Sequence, residues 1–452
     1  MMRTRLSLVA TLLAGCMPND FGDTLSHAPV QLVDRPNGFG SNAGRVLLPL
    51  APPLDNPKAG SRLLFAGTDT ASLAVVDYDG DGKPHVRTLT SDEISMIGLE
   101  PGLAGIASMA WLTSPSSGMV VLGVPEHVVV PGEPVPLGRV AFVRMALDID
   151  GKLSFSTSAV PVDGSGALGG HFGLAVAQGK VTQTATEEVI AVADNGVGVL
   201  VPGGPVLAST TCVGPFRTPP DLYRALAVAD FLQDGQQEIA LGLPVAGGVG
   251  RVVILQYGRR PETPTAPPEL YCAKILQAPD TGIQAVSGFG ASLSSVPDWD
   301  GDGLAELLVG APPDRAYLFT SRGSLPTKTF TKGDTLSEFG QRVVLVDIDR
   351  DGVPEVGISA LQANVGKTAR AGQVYFYKLN GDGVTPVATL FDSNPVANKE
   401  FFGIGLADME FNSSRVCGKG TTSRIPVVGA DKGVFAFFRF AGGAPDPRCF
   451  AQ

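Results

Sequence analysis

Two short acidic turns contain the residues whose types and spacing point most directly to chemistry. Residues 298–306 read Asp-Trp-Asp-Gly-Asp-Gly-Leu-Ala-Glu, and residues 347–355 read Asp-Ile-Asp-Arg-Asp-Gly-Val-Pro-Glu. Carboxylates occupy positions 1, 3, 5 and 9, and glycine at position 6 permits a sharp turn that makes them converge. Such carboxylates repel one another without a cation, and oxygen-only ligands favour Ca²⁺, which is larger and more forgiving than Mg²⁺. The spacing predicts two calcium sites, with solvated acidic turns as the alternative.

Two further turns match this pattern less well. One has Leu232 at position 3, where water would have to substitute for the missing ligand. Its three carboxylates are Asp230, Asp234 and Glu238. The other, residues 77–85, begins with three alternating aspartates but has His85 at position 9. We expect a weaker metal site in the first turn and an ordinary turn in the second.

The sequence contains no complete catalytic motif. Residues 366–368 (Gly-Lys-Thr) resemble the end of a phosphate-binding loop, but Leu361 stands where that loop needs its first glycine. Asp163 likewise replaces the glycine that a nucleophile elbow around Ser165 would need. The four histidines occur in no paired-ligand spacing. We therefore predict that the protein is not an enzyme, although an active site assembled from separate repeats would escape this search.

The two stronger acidic turns lie in repeated segments. Residues 289–312 and 339–360 each begin with Phe-Gly and read as a strand, the acidic turn and a second apolar strand that ends near Gly or Ala. Fainter copies are marked by small residues 50 to 68 positions apart, namely Gly40, Gly105, Gly173, Ala225, Gly290, Gly340 and Gly403. The segments resemble the FG-GAP repeat of the integrin α-subunit head. The resemblance implies an all-β fold, a seven-bladed β-propeller, with six or eight blades as alternatives.

The resemblance also implies how a metal is held, because in an integrin-like hairpin the ion ties the first strand of a blade to the second. The implied ligands of the first site are Asp298, Asp300, Asp302, the carbonyl of Leu304, and Glu306. Those of the second site are Asp347, Asp349, Asp351, the carbonyl of Val353, and Glu355. Both sites have Glu at position 9, where Asp is usual. The turn at 77–85 lies past the first hairpin of its repeat, which favours an outer turn without a metal.

The two chain ends predict how the ring closes. The last repeat has a third strand at 433–440 but no fourth, and the apolar segment 30–33 precedes the first Phe-Gly. In the other repeats, the segment before the Phe-Gly is the fourth strand of the preceding blade. The N-terminal strand would therefore complete the last blade and cover an edge that would otherwise pair promiscuously. The alternative, an open solenoid, lacks an apparent capping unit.

Composition agrees with many short strands joined by turns. Of 452 residues, 57 are Gly and 36 are Pro, and 44% are hydrophobic. A large core can therefore be buried, and long helices are not expected. The net charge of −10 includes no basic block, which argues against a nucleic-acid partner.

The N-terminus reads as an export signal. Arg3 and Arg5 precede an apolar stretch at 6–13 that is too short to span a bilayer. The Leu-Ala-Gly before Cys16 resembles the bacterial lipobox, which implies cleavage before Cys16 and acylation of its thiol; the alternative is a plain signal peptide. Met17 favours the outer membrane over retention in the inner membrane. The predicted segments are a signal peptide at 1–15, a lipidated linker at 16–28 and a single propeller at 29–452.

The four remaining cysteines form an even set, which in an exported chain suggests two disulfides. Sequence locality favours Cys212–Cys272 and Cys417–Cys449 among three arrangements. Four unpaired buried thiols are the alternative.

These features predict a lipid-anchored, calcium-stabilised propeller of the bacterial cell envelope that acts as an adhesion or protein-interaction platform. A carbohydrate-binding or carbohydrate-cleaving propeller is the second hypothesis, and a structural envelope lipoprotein without a discrete ligand is the third. The expected partners are the membrane, through the N-terminal lipid, and a protein or glycan on a face of the disc. Aromatic and carboxylate side chains together on a rim would favour a glycan, and exposed apolar patches would favour a protein. The oligomeric state is left open.

Overall fold

The computed structural model describes residues 30–437, with gaps at 38, 40–42, 51–60, 79–82, 102, 115–116, 129–134, 148–152, 165–167, 183–185, 203, 205, 209–224, 233, 245–249, 264, 280–287, 321–322, 324, 333–336, 349–352, 381–382, 396–400 and 413–421. The predicted signal peptide, the linker and Cys16 lie outside the described residues, as do Cys212, Cys417 and Cys449. The predicted lipidation, the predicted segment boundaries and the pairing of Cys417 with Cys449 therefore stay predictions.

The described chain forms seven four-stranded antiparallel sheets, and each sheet is one blade. Blade 1 contains β2 (Val46–Leu50), β3 (Arg62–Ala66), β4 (Leu73–Tyr78) and β5 (Pro84–Thr88); blade 2 contains β6 (Ser108–Ser114), β7 (Ser117–Val124), β8 (Arg139–Leu147) and β9 (Leu153–Asp163); blade 3 contains β10 (Val176–Gly179), β11 (Glu188–Ala193), β12 (Gly196–Leu200) and β13 (Val206–Ala208); blade 4 contains β14 (Leu226–Ala229), β15 (Glu238–Leu243), β16 (Arg251–Gly258) and β17 (Glu269–Gln277). Blade 5 contains β18 (Ser292–Val296), β19 (Glu306–Ala311), β20 (Arg315–Phe319) and β21 (Lys328–Thr331); blade 6 contains β22 (Phe339–Val346), β23 (Glu355–Ala360), β24 (Gln373–Asn380) and β25 (Gly383–Leu390); blade 7 contains β26 (Gly405–Asn412), β27 (Thr422–Ala430), β28 (Gly433–Phe437) and β1 (Val30–Asp34).

The first strands of the blades form the inner ring. Each first strand contacts the first strand of the next blade, and β26 contacts β2, so that the ring closes on itself. The structure confirms the predicted seven-bladed β-propeller. Six of the seven predicted small-residue anchors lie just before or within the start of a first strand, and the seventh, Gly40, lies outside the described residues.

The N-terminal strand closes the last blade, as predicted. β1 pairs antiparallel with β28, with Val30 opposite Phe437 and Asp34 opposite Gly433. Val33 is only 2% exposed and joins the core between blades 7 and 1. The ring is thus sealed by pairing the two ends of the described chain, and β28 is left with no open edge.

The Phe-Gly motif lies at the boundary between neighbouring blades and packs against both. Phe289 is fully buried, with its ring centroid 5.7 Å from that of Tyr317. Gly290 has φ +91°, a left-handed conformation that disfavours any residue with a Cβ, and its N–H donates to the carbonyl of Gly310 at 2.9 Å. The backbone of Gly290 also approaches the previous blade so closely that a Cβ on Gly242 would lie 2.0 Å from its carbonyl oxygen. Each of these two glycines is therefore required by the close approach of neighbouring blades.

Packing on both faces explains the apolar runs of the second strands. Every residue of β11, β15, β19 and β23 is buried, because neighbouring blades cover both faces of the sheet. Seven apolar clusters, in the described residues, fill the interfaces around the ring. A strand buried on both faces loses the alternation of polar and apolar residues, as in Leu-Leu-Val-Gly-Ala of β19.

A short helix, α1 (Ser91–Met96), lies between blades 1 and 2 and packs on β9. Thr90 and Glu93 form a capping box, in which each side chain accepts a hydrogen bond from the other residue's backbone N–H. Among the described residues, no helix is both long and apolar enough to cross a membrane. Cys272 is disulfide-bonded; its partner lies outside the described residues, so the pairing with Cys212 stays a prediction.

Candidate metal centre

The acidic turn of blade 5 brings four carboxylates together between β18 and β19. One ligand oxygen from each of Asp298, Asp300, Asp302 and Glu306 lies within 4.8 Å of all the others. Oxygens on opposite sides of a Ca²⁺ ion at its usual bond lengths are about 4.6–5.2 Å apart, so one calcium ion fits this spacing. Asp298 and Asp300 are exposed and Glu306 is fully buried, which places the cluster at the rim of the sheet with one ligand inside it.

The turn itself is held by its own aspartates. Asp300 accepts a hydrogen bond from the N–H of Asp302 at 3.1 Å, and Asp302 accepts one from the N–H of Leu304 at 3.0 Å. Gly301 and Gly303 have φ of +79° and +89°, which only glycine adopts readily. The sequence therefore folds this loop so that the carboxylates face one another. The ligand role of the Leu304 carbonyl stays a prediction.

Glu306 provides the best structural support for a cation. Its Oε2 accepts a hydrogen bond from the N–H of Trp299 at 2.9 Å. Its Oε1 is buried without a hydrogen-bond partner. Burial raises the pKa of Glu306 to about 7, and the neighbouring charges of Asp300 and Asp302 push it in the same direction against the Trp299 hydrogen bond. A divalent cation would satisfy Oε1 and offset the repulsion, so the residues present fit a calcium ion.

The same glutamate recurs in four consecutive blades, always at the start of the second strand. Its Oε2 accepts the N–H of the second turn residue at 2.7 to 2.9 Å in every case. The four pairs are Val181–Glu188, Phe231–Glu238, Trp299–Glu306 and Ile348–Glu355. All four glutamates are fully buried. The preference for Glu over Asp at position 9 is thus explained, because the additional methylene lets one oxygen reach the turn backbone while the other faces the turn.

Blade 3 shows what this glutamate does in a turn without the acidic spacing. Lys180 stands where the other turns have their first aspartate. Glu188 accepts hydrogen bonds from the N–H groups of Val181 and Thr182, and the hydroxyl of Thr182 donates to its second oxygen. The protein itself therefore satisfies both oxygens. The sequence search, which required aspartates, missed this pair.

The second predicted site, in blade 6, is only partly described. Asp347, Val353 and Glu355 lie in the described chain, whereas residues 349–352 do not. Glu355 is fully buried, and Lys378 on β24 brings its ammonium nitrogen to 3.8 Å from Oε1. This lysine, which spacing along the turn could not identify, would compete with a metal. The complete ligand set, including Asp349 and Asp351, stays a prediction.

The weaker turn of blade 4 also brings its carboxylates together. Oxygens from Asp230, Asp234 and Glu238 lie within 4.8 Å of one another. Glu238 has a buried Oε1 without a hydrogen-bond partner, and burial raises its pKa to about 8. Gln256 on β16 donates a hydrogen bond to Asp234. This donor comes from the third strand, beyond the reach of the turn pattern.

The turn at 77–85 belongs to the outer hairpin of blade 1, as its position in the repeat predicted. It connects β4 to β5, and its residues 79–82 lie outside the described chain. The side chain of Asp77 forms an ion pair with Arg62 on β3. The first carboxylate of this turn, that of Asp77, is therefore already paired with an arginine of the same blade.

Comparison with known proteins gives matches that agree with this geometry. A family model described as an FG-GAP-like repeat matches residues 298–358, a segment that contains both strong acidic turns. The chain is 30% identical over 168 residues to phosphatidylinositol-glycan-specific phospholipase D of Mus musculus, a match that covers 33% of this chain and 19% of that protein. It is 35% identical over 118 residues to integrin alpha-4 of Xenopus laevis, covering 23% of this chain and 11% of that protein.

These matches cover at most about a fifth of the length of the relatives named. The region shared with this chain is only a part of each relative. The activities of the whole relatives are therefore not assigned to this chain. The matched repeat, the integrin relative and the seven closed blades agree on the architecture. The chain is a seven-bladed β-propeller that contains an FG-GAP-like repeat at residues 298–358 and is similar, over part of its length, to an integrin α-subunit.

Proposed function

We propose that this chain is a calcium-stabilised propeller that serves as a protein-interaction platform at the bacterial cell envelope, anchored by a lipid on Cys16. One observation carries the calcium part. In the turn of blade 5, four carboxylates converge, and the buried Oε1 of Glu306 has no hydrogen-bond partner. A buried charged atom without a partner is costly, and a bound cation offsets that cost.

Calcium would act as a structural cross-link. Asp298, Asp300, Asp302 and Glu306 would hold it, and Glu306 is the first residue of β19 while the aspartates follow β18. The ion would thus tie the innermost strand of blade 5 to the second strand at the turn that joins them. It supplies charge neutralisation and rigidity, and no chemical step is assigned to it.

The interaction part is supported by the fold and by the surface. Among the described residues, the large apolar side chains exposed to solvent include none that is aromatic. Around blade 2, Met96 is 59% exposed, Leu103 62% and Val160 78%. Thr157 on β9 donates a hydrogen bond to the carbonyl of Met96, which holds α1 beside the outer strand. Exposed aliphatic groups without aromatic platforms suit a protein partner better than a sugar.

A capture experiment tests the platform. The tagged chain is recovered from detergent-solubilised envelope, and co-purifying proteins are identified for the wild type and for a Met96→Ser/Val160→Ser double variant. We expect the double variant to lose the partner. The control Ile275→Ser removes an apolar side chain that is 48% exposed on the outer strand of blade 4 and should retain it. Equal recovery of the same partner by all three chains would contradict a role for this surface.

Anchoring is tested separately. Cys16→Ser should release the protein into the soluble fraction or leave its precursor uncleaved. Mass spectrometry of the purified N-terminus should find acyl chains on Cys16 in the wild type. Unchanged membrane association of Cys16→Ser, together with an unmodified wild-type N-terminus, would remove the lipoprotein from the account.

Glycan binding or cleavage is the second candidate, favoured by the similarity to a protein named phosphatidylinositol-glycan-specific phospholipase D. Its test is direct incubation with a phosphatidylinositol-glycan substrate, followed by measurement of bound glycan and released products. Saturable binding or turnover would favour this candidate over the protein platform. If the chain is a protein-interaction platform, neither glycan binding nor turnover is expected. If it is a structural lipoprotein without a discrete ligand, which is the third hypothesis, the glycan assay is negative and the capture experiment recovers no partner.

A further inference from the structure

In blade 6, the loop between the second and third strands forms a hairpin of its own. It covers residues 361–372, between β23 and β24, and we call it the blade 6 hairpin. Val365 and Thr368 exchange both of their backbone hydrogen bonds at 2.9 Å. The side chain of Asn364 accepts a hydrogen bond from the N–H of Arg370 at 3.0 Å. The loop is therefore held in one shape by its own hydrogen bonds.

The blade 6 hairpin presents a group of cations to solvent. Lys367 and Arg370 are exposed, and neither side chain forms an ion pair with any of the described residues. Lys332 is exposed as well, with its ammonium nitrogen 4.4 Å from the ring centre of Tyr375. Gln373 accepts a hydrogen bond from the hydroxyl of this tyrosine and donates one to a backbone carbonyl of the hairpin at 2.8 Å. Lys332 therefore belongs to the same surface.

Two carboxylates lie beside this surface, and both have other partners. Glu338 accepts hydrogen bonds from the side-chain amides of Gln362 and Gln341, the latter at 3.5 Å. Asp314 has an oxygen 3.5 Å from the guanidinium of Arg315. Among the described residues, positive charge thus exceeds negative charge at the hairpin, although the chain as a whole carries a net charge of −10.

The sequence at 366–368, which resembles the end of a phosphate-binding loop, does not form one here. Such a loop points successive backbone N–H groups at the phosphate. In the blade 6 hairpin, the N–H groups of Val365 and Thr368 are instead used on each other's carbonyls. The surface therefore offers cationic side chains. A guanidinium matches a carboxylate through two parallel hydrogen bonds, and an ammonium adds a compact point charge.

The blade 6 hairpin lies at the end of the ring opposite the acidic turns. β23 begins with Glu355 of the acidic turn and ends at Ala360, where the hairpin starts. β1 begins at Val30, opposite Phe437 at the end of β28, and thus enters the ring at the end with the acidic turns. A lipid on Cys16, as proposed above, would tether that end, which favours a protein over the anchoring membrane as the partner of the hairpin.

We propose that the blade 6 hairpin and Lys332 form a docking surface for an acidic segment of a protein partner. Carboxylates of that segment would pair with Lys332, Lys367 and Arg370. A glycan fits less well, because the exposed large apolar side chains of the described chain include no aromatic ring on which a sugar could stack. Blade 6 is three blades around the ring from blade 2, so this partner does not need the apolar surface around α1.

Fluorescence anisotropy of a labelled hexaglutamate peptide, titrated with the purified chain, tests the proposal. At about 50 mM salt we expect saturable binding, a decrease in affinity as salt rises, and a loss of about fivefold or more for Lys367→Gln/Arg370→Gln. Lys367→Arg/Arg370→Lys keeps both charges and should retain binding. The matched control, Arg259→Gln/Arg260→Gln, removes two charges from the outer hairpin of blade 4 and should bind like the wild type.

The variant Met96→Ser/Val160→Ser should also bind the peptide like the wild type, so failure of the surface proposed on blade 2 is distinguished from failure of this one. Absence of saturable peptide binding at chain concentrations up to about 0.2 mM would overturn the proposal. So would equal affinity for Lys367→Gln/Arg370→Gln and the wild type when their circular dichroism is the same. Binding to phosphatidylglycerol vesicles that is lost in Lys367→Gln/Arg370→Gln would overturn the assignment to a protein partner.

Discussion

At the scale of single residues, one glutamate per blade organises the turn between the first two strands. One carboxylate oxygen of each accepts a hydrogen bond from a backbone N–H of the turn; the four are Glu188, Glu238, Glu306 and Glu355. The second oxygen is where the blades differ. Thr182 donates to it in blade 3, Lys378 lies 3.8 Å away in blade 6, and in blades 4 and 5 it is buried without a hydrogen-bond partner. A metal is thus most needed in blades 4 and 5.

Blade 3 supplies a prediction that is independent of metal. Glu188→Ala removes the acceptor for the N–H groups of Val181 and Thr182, and buried donors without partners cost about 1–3 kcal/mol each. We expect the free energy of unfolding to fall by about 2–4 kcal/mol, measured by urea denaturation. The loss should be the same in calcium and in chelator. A loss that depends on calcium would show that this turn also binds the ion.

Spacing along the sequence located the carboxylates but not the groups that face them. The acidic pattern identified the turn at 298–306, and the structure brings its four side chains together. The pattern gave less weight to blade 4 because Leu232 replaces a ligand, yet its three carboxylates also converge. Gln256 and Lys378 could not be anticipated, because they belong to third strands and reach the turns only through sheet pairing.

At the scale of elements, the spacing of the small-residue anchors predicted seven blades, with six or eight as alternatives. The missing fourth strand of the last repeat predicted that the N-terminal strand completes the last blade. Each repeat must bury two faces of a sheet against its neighbours, so the repeat length and the apolar runs reflect the same constraint. Helix α1 and its capping box are not part of the repeated blade. Among the described residues this α-helix occurs only once, so the period of the repeats could not predict it.

Removing β1 tests whether the N-terminal strand closes blade 7. Deleting residues 17–34 should lower the free energy of unfolding by about 3 kcal/mol or more, because it exposes the edge of β28 and removes buried Val33. Deleting only residues 17–28 is the matched control and should leave stability nearly unchanged. Equal urea midpoints for both deletions would contradict closure by this strand.

The glycine of the Phe-Gly motif gives a second test at this scale. Gly340 has φ +99°, and a Cβ there would lie 2.0 Å from the carbonyl oxygen of Arg315. Gly340→Ala should therefore cost about 2–4 kcal/mol through strain and overlap together. Gly366 has φ +56° with open space around it, so Gly366→Ala should cost only about 1 kcal/mol. Similar thermal shifts for the two variants would show that the blades separate to accept the methyl group.

At the scale of the whole molecule, the described chain forms a closed ring of seven blades, and we propose that calcium ions stiffen the acidic turns between innermost and second strands. Sheet pairing seals the ring between β1 and β28, and the acidic turns join the inner strands to their neighbours. Ligands that bind only the folded ring add to its stability through mass action. The central claim is therefore that calcium binds the turn of blade 5 and stabilises the propeller.

Thermal unfolding in calcium and in chelator tests that claim most directly. At calcium concentrations 100 times Kd, each site adds about 2.7 kcal/mol, and sites of extracellular modules have Kd of about 10⁻⁴–10⁻³ M. We expect a clear rise in melting temperature at millimolar calcium, reduced in Asp300→Ala and nearly intact in Asp79→Ala, whose turn begins with Asp77 already paired to Arg62. The absence of a calcium shift in the wild type, or equal losses in both variants, would contradict the account.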